Sequence, residues 1–362
     1  MPRITHLAWQ RLDVPLREPF GIATGTRTVA ENLLLELGAS DGTSGLGEAA
    51  PFPAVNGETR DDAERSLERA RPALLGLELD EWRETARRAR ALLEAPSALC
   101  AFETALLDAF TRRARTSLFG FFGGAESVLT TDITLTTGDA AQAAAQATRA
   151  AAGGFRTLKV KIGGASIAHD VERLECAARA APEASFVLDA NASLSADSAL
   201  ALLEALGALR ERVVLFEQPT PAWDLVGLAR VRTSGVRVAA DESVQNAADV
   251  ERLAATAAVD VVNLKTMKAG LVAALDAALA ARRLGIGLMV GGMVETRLSM
   301  TASACLAGGL GGFSFVDLDT PLFLASDPFE GGYAMNGPEL ALGGIRAGHG
   351  VKLKTGLPTA GC

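Results

Sequence analysis

The chain has 362 residues, 49% hydrophobic, 22% charged and 5% aromatic, with a formal net charge of −8. That apolar content, over a length that suits about two domains, excludes a wholly disordered protein. An acidic balance with few aromatics excludes the basic, stacking surface of a nucleic-acid binder. The four cysteines, Cys100, Cys176, Cys305 and Cys362, form no CxxC pair, so neither a disulfide framework nor a zinc site is expected.

Charges at Arg3, Arg11, Asp13, Arg17 and Glu18 interrupt any signal-peptide core. Ile4–Val14 and Asn32–Leu37 read as strands, and Asp61–Leu75, Leu79–Glu94 and Ser97–Arg112 carry apolar residues at helical spacing. Strands followed by helices predict an α+β unit over residues 1–125. From 126 to 320 the rhythm changes. Eight β-rich runs follow: Leu129–Thr136, Thr157–Ile162, Phe186–Asn191, Val213–Gln218, Val236–Ala240, Val259–Lys265, Gly287–Gly292 and Phe313–Leu318. Ala-rich segments such as 140–152, 167–181, 195–209, 246–257 and 269–284 lie between them. Parallel strands need long crossovers, so this alternation predicts βα units, and eight strands are enough to close a barrel. An open doubly wound sheet is the alternative, weakened by the absence of a Gly-rich dinucleotide fingerprint. Leu284–Val294 is too short to span a membrane. The segment 321–362 is expected to leave the barrel and return to the N-terminal unit. A cytoplasmic protein with no nucleic-acid or membrane partner is expected.

Buried parallel strands should be apolar throughout, yet these end in ionisable groups. Lys159 and Lys161, Asp189 and Asn191, Glu217, Asp241, Lys265, and Asp317 and Asp319 recur at strand C-terminal ends. From Lys161 to Lys265 a charged group returns every 24 to 28 residues. That end of a barrel carries the active site. The pairs 159/161, 189/191 and 317/319 are two apart, so both members of each share a face. Three carboxylates from adjacent strands need a counter-charge, and oxygen ligands without His or Cys favour Mg²⁺. Lysines on both flanks suggest abstraction of a proton α to a metal-bound carboxylate from one face and its return to the other, through an enediolate. A lysine base must be neutral part of the time, which calls for a lowered pKa.

In Lys159-Val-Lys161, Asp189-Ala-Asn191, Glu217-Gln-Pro219, Asp241-Glu-Ser243 and Lys265-Thr-Met-Lys-Ala-Gly270, the chain resembles the enolase superfamily, in its muconate-lactonising subgroup. Pro15–Ala30 and Gly45–Pro51 look like that subgroup's capping segments. The resemblance implies a modified TIM barrel of (β/α)7β type under an α+β capping domain, with lid loops near 16–28 and 51–59. It implies Asp189, Glu217 and Asp241 as Mg²⁺ ligands, one ion per subunit. Lys161 and Lys265 would be the opposed acid/base pair, and Lys159 would contact the substrate carboxylate.

Asp317-Leu-Asp319 is similar to the Asp-x-Asp motif with which dipeptide epimerases hold a free α-ammonium. Gly291–Thr296 and Thr134 also look like segments of those enzymes that meet substrate, with Met293 at the mouth. Where epimerases acting on Ala-Glu carry a pairing Arg, this chain has Thr24, with Arg27 three residues on. An uncharged, hydrophobic second residue is therefore expected. Asn191, Lys268 and Glu295 are expected to support the site, and Glu242 to face away or pair locally. His6, His169 and His349 are given no role. The expectation is a Mg²⁺-dependent dipeptide epimerase, a homo-oligomer, acting at the C-terminal residue. The alternatives are N-acylamino acid racemase, o-succinylbenzoate synthase or cycloisomerase and, from another class, a non-catalytic ligand-binding barrel.

Overall fold

The structure, a computed structural model, describes residues 1–22 and 25–354; Thr24 and Cys362 lie outside them. The chain opens with a long antiparallel hairpin, β1 (Ile4–Ile22) and β2 (Gly25–Ala39), extended by β3 (Ser44–Ala49). Helices α1 (Pro53–Asn56), α2 (Arg60–Leu74), α3 (Trp82–Leu92), α4 (Pro96–Arg113) and α5 (Leu118–Phe121) follow. The α2 start is set by a capping box, Thr59 with Asp62. Helix α4 is buried on nearly all sides, which suits its apolar sequence.

After the short β4 (Val128–Thr130), eight parallel strands alternate with helices. The series is β5 (Ile133–Leu135), α6 (Ala140–Ala152), β6 (Thr157–Lys161), α7 (Ile167–Ala180), β7 (Ser185–Asp189), α8 (Ala196–Ala205), β8 (Val213–Glu217) and α9 (Leu225–Arg232). It continues with β9 (Val238–Ala240), α10 (Ala247–Ala255), β10 (Val261–Lys265), α11 (Leu271–Arg283), β11 (Gly287–Gly291), α12 (Arg297–Leu310) and β12 (Phe313–Val316). This is the (β/α)7β order. Helices α9 and α12 complete it without the Ala-rich signature of the others.

Val187, Leu215, Ala239, Val261, Met289 and Phe315 form one apolar cluster. Five of them stand two or four residues before Asp189, Glu217, Asp241, Lys265 and Asp317, so the residues of the barrel floor and of its mouth share a face.

The ladder runs from β5 through to β12 in chain order. Between β12 and β5 a seam is bridged by few bonds. Asp132 N donates to Val316 O at 2.8 Å. Thr131 Oγ1 donates to Val316 O at 3.3 Å and accepts from Leu318 N at 2.9 Å.

The C-terminal segment adds β13 (Phe329–Gly331), β14 (Ala334–Asn336), β15 (Glu339–Ala341) and β16 (Val351–Leu353). Val351 packs in a cluster with Leu12, Val14 and Leu34 of the N-terminal sheet, and His349 is buried against Leu46 O and Asp108. Among the described residues, no helix is long and apolar enough to cross a membrane.

Two carboxylates from the N-terminal unit enter the starts of barrel helices. Glu48 of β3 accepts from Thr296 N and Oγ1 at 3.0 and 2.6 Å, and from Ser299 N at 3.2 Å, capping α12. Glu103 of α4 accepts from Val272 N at 2.7 Å in the first turn of α11. A Cβ at Gly270, the α11 cap with φ +93°, would lie 2.4 Å from Glu103 Oε2, so glycine is required there. Helix N-termini favour negative charge, yet burial pushes Glu103 up to about 7. Between the ordinary carboxylate range and about pH 7 the folded chain holds a proton that the unfolded chain releases, so stability from this group falls as pH rises. Glu103→Gln should therefore flatten the pH dependence of the thermal midpoint over that window, losing least or gaining most at the alkaline end. Parallel melting curves from pH 5 to 8 check this.

Candidate active site

The C-terminal ends of the barrel strands bring the charged residues into one cavity. Thr134, Lys159, Lys161, Asn191, Lys265, Met293, Asp317 and Asp319 line it, with Phe52 and Val55 from the N-terminal unit above them. Lys161, Asp189 and Glu217 are register partners across β6, β7 and β8. Lys265 ends β10, four strands round from Lys161. In an eight-stranded barrel that spacing is half a circumference.

Lys159 sits at the centre, 1% exposed. Its Nζ lies 3.0 Å from Asp189, 2.8 Å from Glu217 and 2.7 Å from Asp317. Lys161 Nζ donates to Asp189 Oδ2 at 2.6 Å and to Asn191 Oδ1 at 3.3 Å. Lys265 Nζ is 2.7 Å from Asp241 Oδ2. Lys268 Nζ donates to Asp241 Oδ1 at 2.8 Å and to the carbonyls of Asp241 and Asn263, so it fixes that carboxylate.

These charges oppose burial to different extents. Burial would raise Asp189 and Asp241, but lysines hold both below the usual carboxylate range: Lys159, Lys161 and Lys265 for the first, Lys265 and Lys268 for the second. Glu217 is pushed up to about 7 by burial and by the like charges of Asp189 and Asp241. Burial alone would lower Lys265, but Asp241, Glu217 and Asp189 together outweigh it and hold the ammonium above the usual lysine range.

Three buried carboxylates on adjacent strands, without imidazole or thiolate, form a donor set that suits a hard divalent cation. Glu217 Oε2 and Asp241 Oδ2 accept no aligned hydrogen bond, although each lies beside a lysine ammonium. Among the described residues, the carboxylates with oxygens within 4.8 Å of one another are a different group: Asp132, Asp317 and Asp319. The triad expected to hold metal is not so tightly clustered, and each of its members lies beside a lysine.

Several residues escaped the sequence reading. Asn263 Nδ2 donates to Glu217 Oε1 at 2.8 Å. As a polar residue two positions before Lys265, it was accessible to the same parity argument. Gln218 Oε1 accepts from Asp241 N and Ser243 N at 2.8 and 3.1 Å, tying β8 to the end of β9. Asn191 (φ +44°) and Gln218 (φ +34°) both adopt left-handed backbone just beyond Asp189 and Glu217, a strained conformation that aims these strand ends.

Glu242 pairs locally, receiving Asn191 Nδ2 at 3.5 Å. Glu295 Oε1 accepts from Met293 N at 2.7 Å and so shapes the turn after β11. Arg27 is not a free cation over the cavity. It pairs with Glu31 at 2.7 Å and its guanidinium lies 5.3 Å from the Phe52 ring centre.

Residues 6–123 match the family of mandelate racemase / muconate lactonizing enzyme N-terminal domains, and residues 142–356 match the enolase C-terminal domain-like family. An aromatic dipeptide epimerase of Herpetosiphon aurantiacus is 46% identical over 97% of this chain and 99% of its own. A crystal structure of a mandelate racemase/muconate lactonizing protein from that organism superposes with TM-score 0.94 at 46% identity, covering 97% and 98% of the two chains. A dipeptide epimerase of Enterococcus faecalis V583, solved with Mg and L-Leu-L-Tyr, superposes with TM-score 0.92 at 31% identity, covering 96% and 99%.

Removing the central ammonium would leave buried carboxylates without a partner, which costs roughly 3–5 kcal/mol. Lys159→Met should lose stability on that scale in chelator-containing buffer. The loss should be smaller at pH 5 than at pH 8, because protonation relieves the unpaired charge. Urea titrations at the two pH values measure both.

Proposed function

The chain belongs to the mandelate racemase/muconate lactonizing enzyme family of the enolase superfamily, and on that premise we propose that it is a Mg²⁺-dependent dipeptide epimerase. It inverts the α-carbon of the C-terminal residue of a dipeptide whose second side chain is hydrophobic or aromatic. The observation that carries this reading is one cavity with lysines on opposite walls and an Asp-x-Asp pair at its rim.

Asp189, Glu217 and Asp241 are the residues that would hold the ion. When bound, Mg²⁺ would acidify the α-proton of a carboxylate it coordinates and offset the carboxylate field that keeps Lys265 charged. Lys161 and Lys265 are the catalytic pair: one removes the α-proton, and the other delivers a proton to the opposite face of the same carbon. One proton leaves and one returns, so the atoms balance without water or a leaving group. Lys159 orients the substrate carboxylate. Asp317 and Asp319 receive the free α-ammonium, and the backbone of Thr134 holds Asp319 by donating to its Oδ2 at 2.6 Å. An N-acylated substrate would leave those two carboxylates facing a neutral amide, which is why a dipeptide is favoured over an N-acylamino acid.

Phe52, Val55 and Met293 supply an apolar wall for the second side chain. With Arg27 committed to Glu31 and Phe52, that wall offers no cation for an acidic side chain. The 46% identical relative carries the name aromatic dipeptide epimerase, which supports the same preference.

In D₂O with Mg²⁺, L-Ala-L-Phe should take up one deuteron at the C-terminal α-carbon without elimination, while L-Ala-L-Glu should exchange far more slowly; mass spectrometry reads both. Chelation should abolish exchange and Mg²⁺ restore it. Lys161→Ala and Lys265→Ala should each lose exchange from one stereoisomer by roughly 10²–10⁴-fold and retain it from the other. Retention of both exchanges in either variant would remove that lysine from the mechanism, and loss of water from a non-peptide acid instead would move the chain to another branch of the family.

A further inference from the structure

The barrel seam holds one carboxylate that the Asp-x-Asp pair does not account for. Asp132 lies between β4 and β5, is 3% exposed, and its backbone N–H bridges to Val316 of β12. Its Oδ1 is buried without a hydrogen-bond partner, and so is Asp319 Oδ1. Asp132, Asp317 and Asp319 each place a carboxylate oxygen within 4.8 Å of the others. The cation that touches this group, Lys159, reaches it through Asp317 and is shared with Asp189 and Glu217. Burial and the neighbouring carboxylates push Asp132 well above the usual carboxylate range and Asp319 up to about 7, so three crowded carboxyl groups with two orphaned oxygens are costly to ionise unless a cation joins them.

The spacing says which kind of cation fits. An alkylammonium has three N–H donors in tetrahedral directions. Hydrogen bonds of about 2.8 Å along those directions put their acceptors about 4.6 Å apart. Three acceptors within 4.8 Å of one another are close enough to be reached by one such group, whereas the Asp-x-Asp pair alone offers it two of the three carboxylates.

We propose that Asp132 is the third acceptor for the substrate's α-ammonium and that it sets the preference for a free over an acylated N-terminus. This rests on the dipeptide reading above. Asp132 is then a binding residue, remote from the proton transfer, and its position on the seam couples closure of the barrel to the subsite.

The test compares α-proton exchange of L-Ala-L-Phe with that of N-acetyl-L-Ala-L-Phe and of propionyl-L-Phe, which differs from the dipeptide by lacking the amine. Wild-type protein and Asp132→Asn are assayed in parallel, with Asp132→Ser as a second variant should Asn disturb folding. A charged hydrogen bond is at stake, so the substitution should lower kcat/KM for the dipeptide roughly 10- to 100-fold, mainly through KM. Exchange of the two amine-free compounds should be unchanged or faster, so the selectivity ratio collapses.

A fall of similar size for all three compounds would give Asp132 a structural role on the seam and overturn the inference, as would an unchanged ratio. Wild-type protein that exchanges no dipeptide would overturn the epimerase reading and this inference with it. Titration with Mg²⁺ alone supplies a further arm. One ion per chain in both proteins is expected, and two in wild type against one in Asp132→Asn would make the cluster a metal site instead.

Discussion

The ammonium of Lys159 is the point on which the barrel mouth turns. It touches carboxylates from β7, β8 and β12 at 2.7 to 3.0 Å and has almost no contact with solvent. A buried ion of this kind adds little net stability, because desolvation offsets its Coulombic gain. Its effect is positional. By drawing Asp189, Glu217 and Asp317 towards one point, it links the carboxylates proposed for metal to those proposed for the substrate's amine. Lys161 and Lys265 are held by the outer members of the same network, Asp189 and Asp241. Neither lysine sits in a neutral environment, and the chemistry depends on which cation the carboxylates face.

Most of this mouth was legible in the sequence because a strand has a period of two. Once Val187, Leu215, Ala239 and Val261 are taken as interior, parity sends Asp189, Glu217, Asp241 and Lys265 inward at the upper end. Asn263 obeys the same rule and was passed over because it carries no charge. Asp132 and Gln218 were harder to see. Each lies just outside a strand and is placed by bonds to a distant segment, Asp132 N to Val316 O and Gln218 Oε1 from Asp241 N and Ser243 N, which no local spacing announces. Glu48 and Glu103 were invisible for another reason: a carboxylate that caps a helix more than a hundred residues away leaves no local pattern.

The labour within the cavity is split by origin in the chain. Among the described residues, the ionisable groups that line it come from the barrel strands and the turns at their C-terminal ends. The N-terminal unit supplies Phe52 and Val55, and the Arg27 guanidinium lies over the Phe52 ring. Chemistry and side-chain fit thus sit on separate segments, so a substitution at residue 52 or 55 can alter size and shape without touching a proton-transfer group.

The docking of Glu48 and Glu103 into the first turns of α12 and α11 constrains how such a protein can diverge. The N-terminal unit is no detachable hat: it finishes the hydrogen bonding of two helices that follow directly on Lys265 and on the Met293 turn. A hybrid joining one relative's cover to another's cylinder would need an acid at both places, plus a residue as small as Gly270 beneath one of them. Lineages can therefore trade the rim residues that meet a ligand freely, while these two hidden plugs must be inherited together with the sockets that receive them.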